Sequence, residues 1–192
     1  MHSFLNPQTD SMSDLLKEYK IPHAGLKKEI HEFSFELDEK FFAHFENSII
    51  NKCDIQASIT FDKRQEPYII DVDLDGTIFS DCDKCTATIP VIIHSSFTIY
   101  VKYVFDEAMK DMEDIEIIHI AKDDQDIDIT QFLYDYAHLS IPIHKICDNP
   151  GKTEYCDLEI IELLEQKTIE EENNTETDPR WAGLDKLKDK LN

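Results

Sequence analysis

Apolar and acidic residues alternate without a break through Ile70-Asp-Val-Asp-Leu-Asp-Gly76. A side-chain period of two is that of a strand with one buried face. It sends Ile70, Val72 and Leu74 one way and three aspartates the other. The same alternation runs through His31-Glu-Phe-Ser-Phe-Glu-Leu37, with Phe33, Phe35 and Leu37 on one face, and through Ile55-Gln-Ala-Ser-Ile-Thr-Phe61. A longer β-rich run covers residues 88–105, and 115–120 can add a short strand. Helical spacing appears twice. Phe41, Phe42 and Phe45 fall on one side within 38–48, and Phe132, Leu133, Tyr136 and Leu139 form a stripe over about 130–139, which Pro142 ends. Residues 158–164 fit a helix or a strand. This order predicts an α+β fold: a curved, mainly antiparallel sheet with a few helices at its edges. Only four glycines are present, so the turns fall to Asp, Asn and Pro.

Charge narrows the function. The 192 residues carry 41 Asp and Glu against 19 Lys and Arg, a formal net charge of -22. Nucleic-acid binders present basic patches that displace counterions from phosphate, and this surface repels phosphate. Direct, tight RNA or DNA binding through the bulk of the chain is therefore disfavoured, and basic protein partners suit it better. No run of 18 apolar residues marks a membrane span, and the first residues do not read as a secretory leader. Five cysteines without such a leader predict reduced thiols and a cytoplasmic setting.

The chain length suits one sizeable core with room for a small second lobe. Residues 1–27 read as a polar N-terminal extension with a short amphipathic stretch at 12–19. Residues 28–164 read as the α+β domain, holding an acidic loop at 106–128. Residues 165–177 read as an acidic linker too polar to offset the entropy of ordering. Residues 178–192 then form an amphipathic helix, capped by Asp178 with Pro179 at its first position. Its face of Trp181, Leu184 and Leu187, with Arg180 beside it, is a candidate partner-binding surface, docking either in cis or in trans.

Chemistry concentrates in the cysteines. Cys82 and Cys85 stand in a C-x-x-C between two predicted strands, where a hairpin turn aims both sulfurs at one point. Cys147 and Cys156 follow after a gap of 61 residues. The four thiolates can close a structural zinc site, with His144 as a substitute ligand. The second pair is spaced by eight residues rather than two, so reduced thiols without metal, or an occasional disulfide, remain open. Cys53 reads as a partly buried thiol. A redox C-x-x-C requires a helix N-terminus, and the residues after Cys85 look like strand. His44-Phe-Glu46 with Cys82 and Cys85 superficially matches a zinc deaminase, but Asp81 stands where that pattern needs proline. His44 and Glu46 fit better as the polar side of a short helix. Phosphate-binding, serine-hydrolase and zinc-protease motifs are absent, and the sequence names no catalytic residue.

Three blocks in order carry a resemblance. They are the C-x-x-C Cys82-Asp-Lys-Cys85 followed by a long β-run and an acidic loop, the stretch Ile127-Asp-Ile-Thr-Gln-Phe-Leu-Tyr-Asp-Tyr-Ala-His-Leu-Ser-Ile-Pro-Ile-His144 with Cys147 shortly after, and the tail Asp178-Pro-Arg-Trp-Ala-Gly-Leu-Asp-Lys-Leu187. Together they resemble the YceD family, the large ribosomal RNA subunit accumulation proteins of bacteria and plastids. The resemblance implies a non-enzymatic factor in ribosome biogenesis that supports accumulation, processing or stability of 23S ribosomal RNA. With the charge, it points to ribosomal or assembly proteins of basic character as partners, with rRNA reached indirectly. Two departures are visible: Tyr134-Asp-Tyr-Ala137 is less acidic than the family's helix, and the spacing to Cys156 is longer. The alternative from another class is a zinc- or thiol-dependent enzyme acting on RNA.

Overall fold

A computed structural model describes residues 16–104 and 116–173. The chain divides into two compact units, one built on Met1–Asp81 and Thr88–Lys145, the other on Cys82–Ala87 and Ile146–Asn192. The N-terminal residues 1–15, residues 105–115, most of which fall in the acidic loop expected at 106–128, and the C-terminal helix expected at 178–192 lie outside the described residues.

The first unit is built on a five-stranded sheet. Its strands are β2 (Ile30–Leu37), β3 (Cys53–Asp62), β4 (Tyr68–Asp81), β5 (Thr88–Tyr103) and β6 (Ile117–Ile120), in that spatial order. Neighbours pair antiparallel except β5 and β6, which run parallel. The mainly antiparallel α+β fold read from the sequence is therefore present, with one parallel edge. A two-residue β1 (Lys20–Ile21) pairs with β7 (Ile127–Asp128) as a separate ribbon.

Alternation sets which face is buried. Ile70, Val72 and Leu74 are fully buried, as are Ala57, Phe61 and Ile99 on the flanking strands. Phe41 and Phe42 from α1 (Glu39–Phe42) are also buried. Asp38 starts α1, its carboxylate accepting the N–H groups of Lys40 and Phe41 at 2.9 and 3.1 Å. The predicted helix at 130–139 is α2 (Thr130–Leu139), with Thr130, Leu133, Tyr136 and Ala137 buried. Tyr136 stacks on Phe97 of β5, ring centroids 4.0 Å apart, which lays α2 against the sheet. Leu139, read as part of the helix stripe, is 69% exposed, and Ala137 fills the buried face instead. Gly76 lies where β4 crosses closely over β3: a Cβ there would stand 2.3 Å from the Asp54 carbonyl oxygen, so no larger residue fits without moving backbone.

The second unit holds the hairpin tip between β4 and β5, a loop, and α3 (Leu158–Asn173). The ambiguity at 158–164 resolves as helix. Asp157 is the reason, because its side chain accepts the N–H groups of Glu159 and Ile160 at 3.1 and 3.3 Å and nucleates the first turn. The helix continues to Asn173, so residues 165–173 of the stretch read as an acidic linker are helical. Composition alone understated them: Glu, Gln and Lys are good helix formers once a cap starts the run. Residues 174–177 lie outside the described residues.

Candidate functional site

The C-x-x-C forms the tip of the β4–β5 hairpin, as its place between two strands required. Asp81 pairs with Thr88, and the intervening turn is closed by Cys82 N–H to Ala87 O and Thr86 N–H to Cys82 O, both 2.9 Å. Thr86 takes the left-handed conformation at φ 58°, which reverses the chain within so short a loop. Cys82 and Cys85 are both 1% exposed. Hydrogen bonding from the backbone of Cys85, Lys84 and Cys147 and from the Cys85 side chain acts to lower the Cys82 thiol. Burial alone pushes the Cys82 thiol up, but these donors together bring it below the ordinary thiol value.

The second pair comes from the loop before α3. The sulfurs of Cys147 and Cys156 stand 3.3 Å apart. Cys156 sulfur accepts the Gly151 N–H and meets the Thr153 hydroxyl, each at 3.1 Å. The Thr153 side chain and backbone, then the Gly151 N–H, lower the Cys156 thiol to about 6. Burial raises Cys147, and its bond to Cys156 adds to the rise. Gly151 has φ 83°, a backbone that favours glycine, and turns the loop back onto Ile161 of α3.

Thus Cys82, Cys85, Cys147 and Cys156 all belong to the second unit. His144, named as a substitute ligand, belongs to the first. Among the described residues no group of three or more His, Cys, Asp or Glu side chains already stands in metal-holding geometry. Cys53 is a half-buried thiol bonded to the Leu37 carbonyl at 3.4 Å, and burial raises it to about 12. That is the inert role its position suggested. Arg180, Trp181, Leu184 and Leu187, the candidate partner-binding residues, lie outside the described residues.

The other notable surface is the open face of the sheet. Three polar rungs cross four strands in register: Glu32–Thr60–Asp71–Thr98, Ser34–Ser58–Asp73–Ser96 and Glu36–Gln56–Asp75–His94. They contain no Lys or Arg. Thr98 donates to Asp71 at 2.7 Å, Ser96 donates to Asp73, and His94 pairs with Asp75. The aspartates are held in place by two hydroxyls and one imidazole, and the rungs themselves place no arginine or lysine beside them. Beside this face a groove of about 550 Å³ is lined by Tyr19, Glu36, Asp38, Lys40 and His44 among others. His44 Nδ1 is bonded to the Lys40 carbonyl, and Glu46 is exposed. His44 and the Cys82–Cys85 pair fall in different units. His44 sits at the end of a short helix, as its spacing to the phenylalanines implied.

Sequence reasoning missed one buried pair. Lys63 is 7% exposed and its ammonium donates to the carbonyls of His23 and Leu26. Burial lowers both Lys63 and His23, and His23 Nε2 bonds the Asp124 carbonyl at 2.9 Å. A lone lysine after a strand gives no local sign that it will be buried. It clamps the turn at 23–26 to the end of β3.

Residues 70–188 match the family described as large ribosomal RNA subunit accumulation protein YceD. The matched stretch is more than half of the chain and contains all of β4 but its first two residues, β5, α2, and Cys82, Cys85, Cys147 and Cys156. The chain belongs to the YceD family. No curated protein and no solved structure matches it. Among the described residues no helix is long and apolar enough to cross a membrane.

Proposed function

We propose that this YceD-family chain supports accumulation of large-subunit ribosomal RNA as a non-enzymatic factor, acting in the cytoplasm through basic protein partners rather than by gripping RNA directly. The family match carries the first half of this reading. Charge supports the second. At a net charge of -22 the molecule repels phosphate and attracts lysine- and arginine-rich surfaces. The three rungs of the sheet offer five carboxylates and contain no Lys or Arg, and three of the carboxylates are fixed by cross-strand partners. Fixed charges lose little freedom when a partner docks, and opposite potentials speed its arrival. Ribosomal proteins before assembly present such basic surfaces, and shielding one would preserve the RNA that awaits it.

A binding experiment tests this directly. The purified full chain is presented with large-subunit ribosomal proteins and, separately, with naked 23S rRNA, at low and at physiological salt. The expected result is retention of one or more basic proteins, weakened by salt, with little RNA bound. Weakening by Asp71→Asn/Asp73→Asn/Asp75→Asn would assign the sheet face. Tight binding of rRNA alone, or turnover of an RNA substrate abolished by a cysteine variant, would contradict the proposal.

A further inference from the structure

We infer that Cys147 and Cys156 are a modification site: a thiol pair that a hydroperoxide closes to a reversible disulfide, locking the loop that leads into α3.

Geometry carries it. The two sulfurs stand 3.3 Å apart, one thiol donating to the other. A disulfide bond is about 2.05 Å long, so the sulfurs need to close by only about 1.2 Å. The Cys156 sulfur is also held by the Gly151 N–H and the Thr153 hydroxyl, each at 3.1 Å. The loop backbone is tied by Lys152 N–H to Asn149 O at 3.0 Å and by Cys156 N–H to Thr153 O at 3.2 Å. The sulfurs therefore meet inside a folded loop. Access completes the case. Cys147 and Cys156 are both partly exposed, and Asp148, Asn149, Lys152, Glu154 and Tyr155 around them are exposed. A small peroxide can reach either sulfur. Cys82 and Cys85 are 1% exposed, and Cys53 lies in the other unit with its thiol on the Leu37 carbonyl. Contact between sulfurs together with access from solvent is what a redox-sensing pair needs.

The chemistry balances with one oxidant. One thiol takes an oxygen atom from the hydroperoxide and becomes a sulfenic acid, while the peroxide leaves as its alcohol, or as water from hydrogen peroxide. The other sulfur attacks the sulfenic sulfur, forms the S–S bond and expels water. A small-molecule thiol reverses the bond by exchange. Transient disulfides of this kind are the ones that reducing compartments hold. The bond closes the ring 147–156 one residue before Asp157, whose carboxylate caps α3. The buried described residues of this unit are Cys82, Cys85 and Ile161, so a covalent tie here restrains what apolar burial does not. The inference does not depend on the proposed role in rRNA accumulation.

Oxidation of the reduced full-length protein with hydrogen peroxide tests it. Remaining thiols are alkylated after denaturation and the chain is cut after lysine. Cleavage after Lys145, Lys152 and Lys167 puts Cys147 and Cys156 on separate peptides, 146–152 and 153–167, which the disulfide would join. The expected result is that linked pair in mass spectra, lost on treatment with dithiothreitol, with Cys53, Cys82 and Cys85 alkylated. Amide exchange over 147–161 should slow by roughly tenfold or more in the oxidised protein. Cys53→Ser should keep the link. Cys147→Ser should lose it and leave Cys156 as a sulfenic acid captured by dimedone. The wild-type measurement stands even if a variant fails to fold. A Cys82–Cys85 disulfide in its place, a link between chains, or no link at excess peroxide would overturn the inference. Unchanged exchange in linked protein would overturn the locking of the loop.

Discussion

The two units of this chain differ in how much apolar surface their described residues bury. In the sheet unit, every central strand contributes fully buried aliphatic or aromatic side chains, from Ala57 and Phe61 through Ile70, Val72 and Leu74 to Ile99. In the cysteine unit, Leu158, Leu163 and Leu164 of α3 are 56%, 57% and 39% exposed, and two cysteines and one isoleucine make up its buried described residues. Burial of apolar surface, about 25 cal/mol per Å2, explains the first unit. It supplies little to the described residues of the second.

Substitutions can break or sharpen this contrast. Leu74→Ala, at a fully buried site in the middle of the sheet, should cost about 3–5 kcal/mol by chemical denaturation, from lost transfer energy and a residual cavity. Gly76→Ala should cost roughly 1–3 kcal/mol, because the added carbon meets the Asp54 and Ile55 backbone. If both changes leave stability untouched, the sheet is not the source of the first unit's stability. Asp157→Ala removes a cap and should cost about 1 kcal/mol, read as faster amide exchange confined to the start of α3.

Two histidines of the sheet unit give smaller effects of opposite sign. Burial first of all lowers His23 below the ordinary 6.5. Its contribution is present above pH 6.5 and is lost as pH falls toward the depressed value. The Asp75 carboxylate raises His94, so that pair contributes below pH 6.5 and fades as pH rises through the raised value. His94 is 73% exposed, so added salt should erase its part. Denaturation midpoints of His23→Gln and His94→Gln across pH 5–8 should therefore change slope in opposite directions.

The sheet was legible because alternation is a physical consequence of a half-buried strand. Ile70 to Asp75 could be assigned face by face, and the hairpin position of Cys82 and Cys85 followed from the strands on either side. The parallel β5–β6 edge was not legible, because pairing direction leaves no trace in a four-residue apolar run. Residues 165–173 were misread as a linker because their composition is polar, and the deciding signal was the single cap at Asp157. The cysteine set could be named from the sequence, but its supporting groups, the Thr153 hydroxyl and Gly151 amide, could not. They act through loop geometry that no periodicity encodes. Lys63 stayed hidden for the same reason, since its partners are carbonyls far away in sequence.

Hydrogen exchange on the full-length reduced protein tests the contrast between the units most directly. β3, β4 and β5, with their fully buried side chains, should hold the strongest protection, and the described parts of the cysteine unit, 82–87 and 146–173, should exchange faster. Protection of 146–173 equal to that of the sheet strands would contradict the division of the molecule into a deeply buried sheet unit and a sparsely buried second unit.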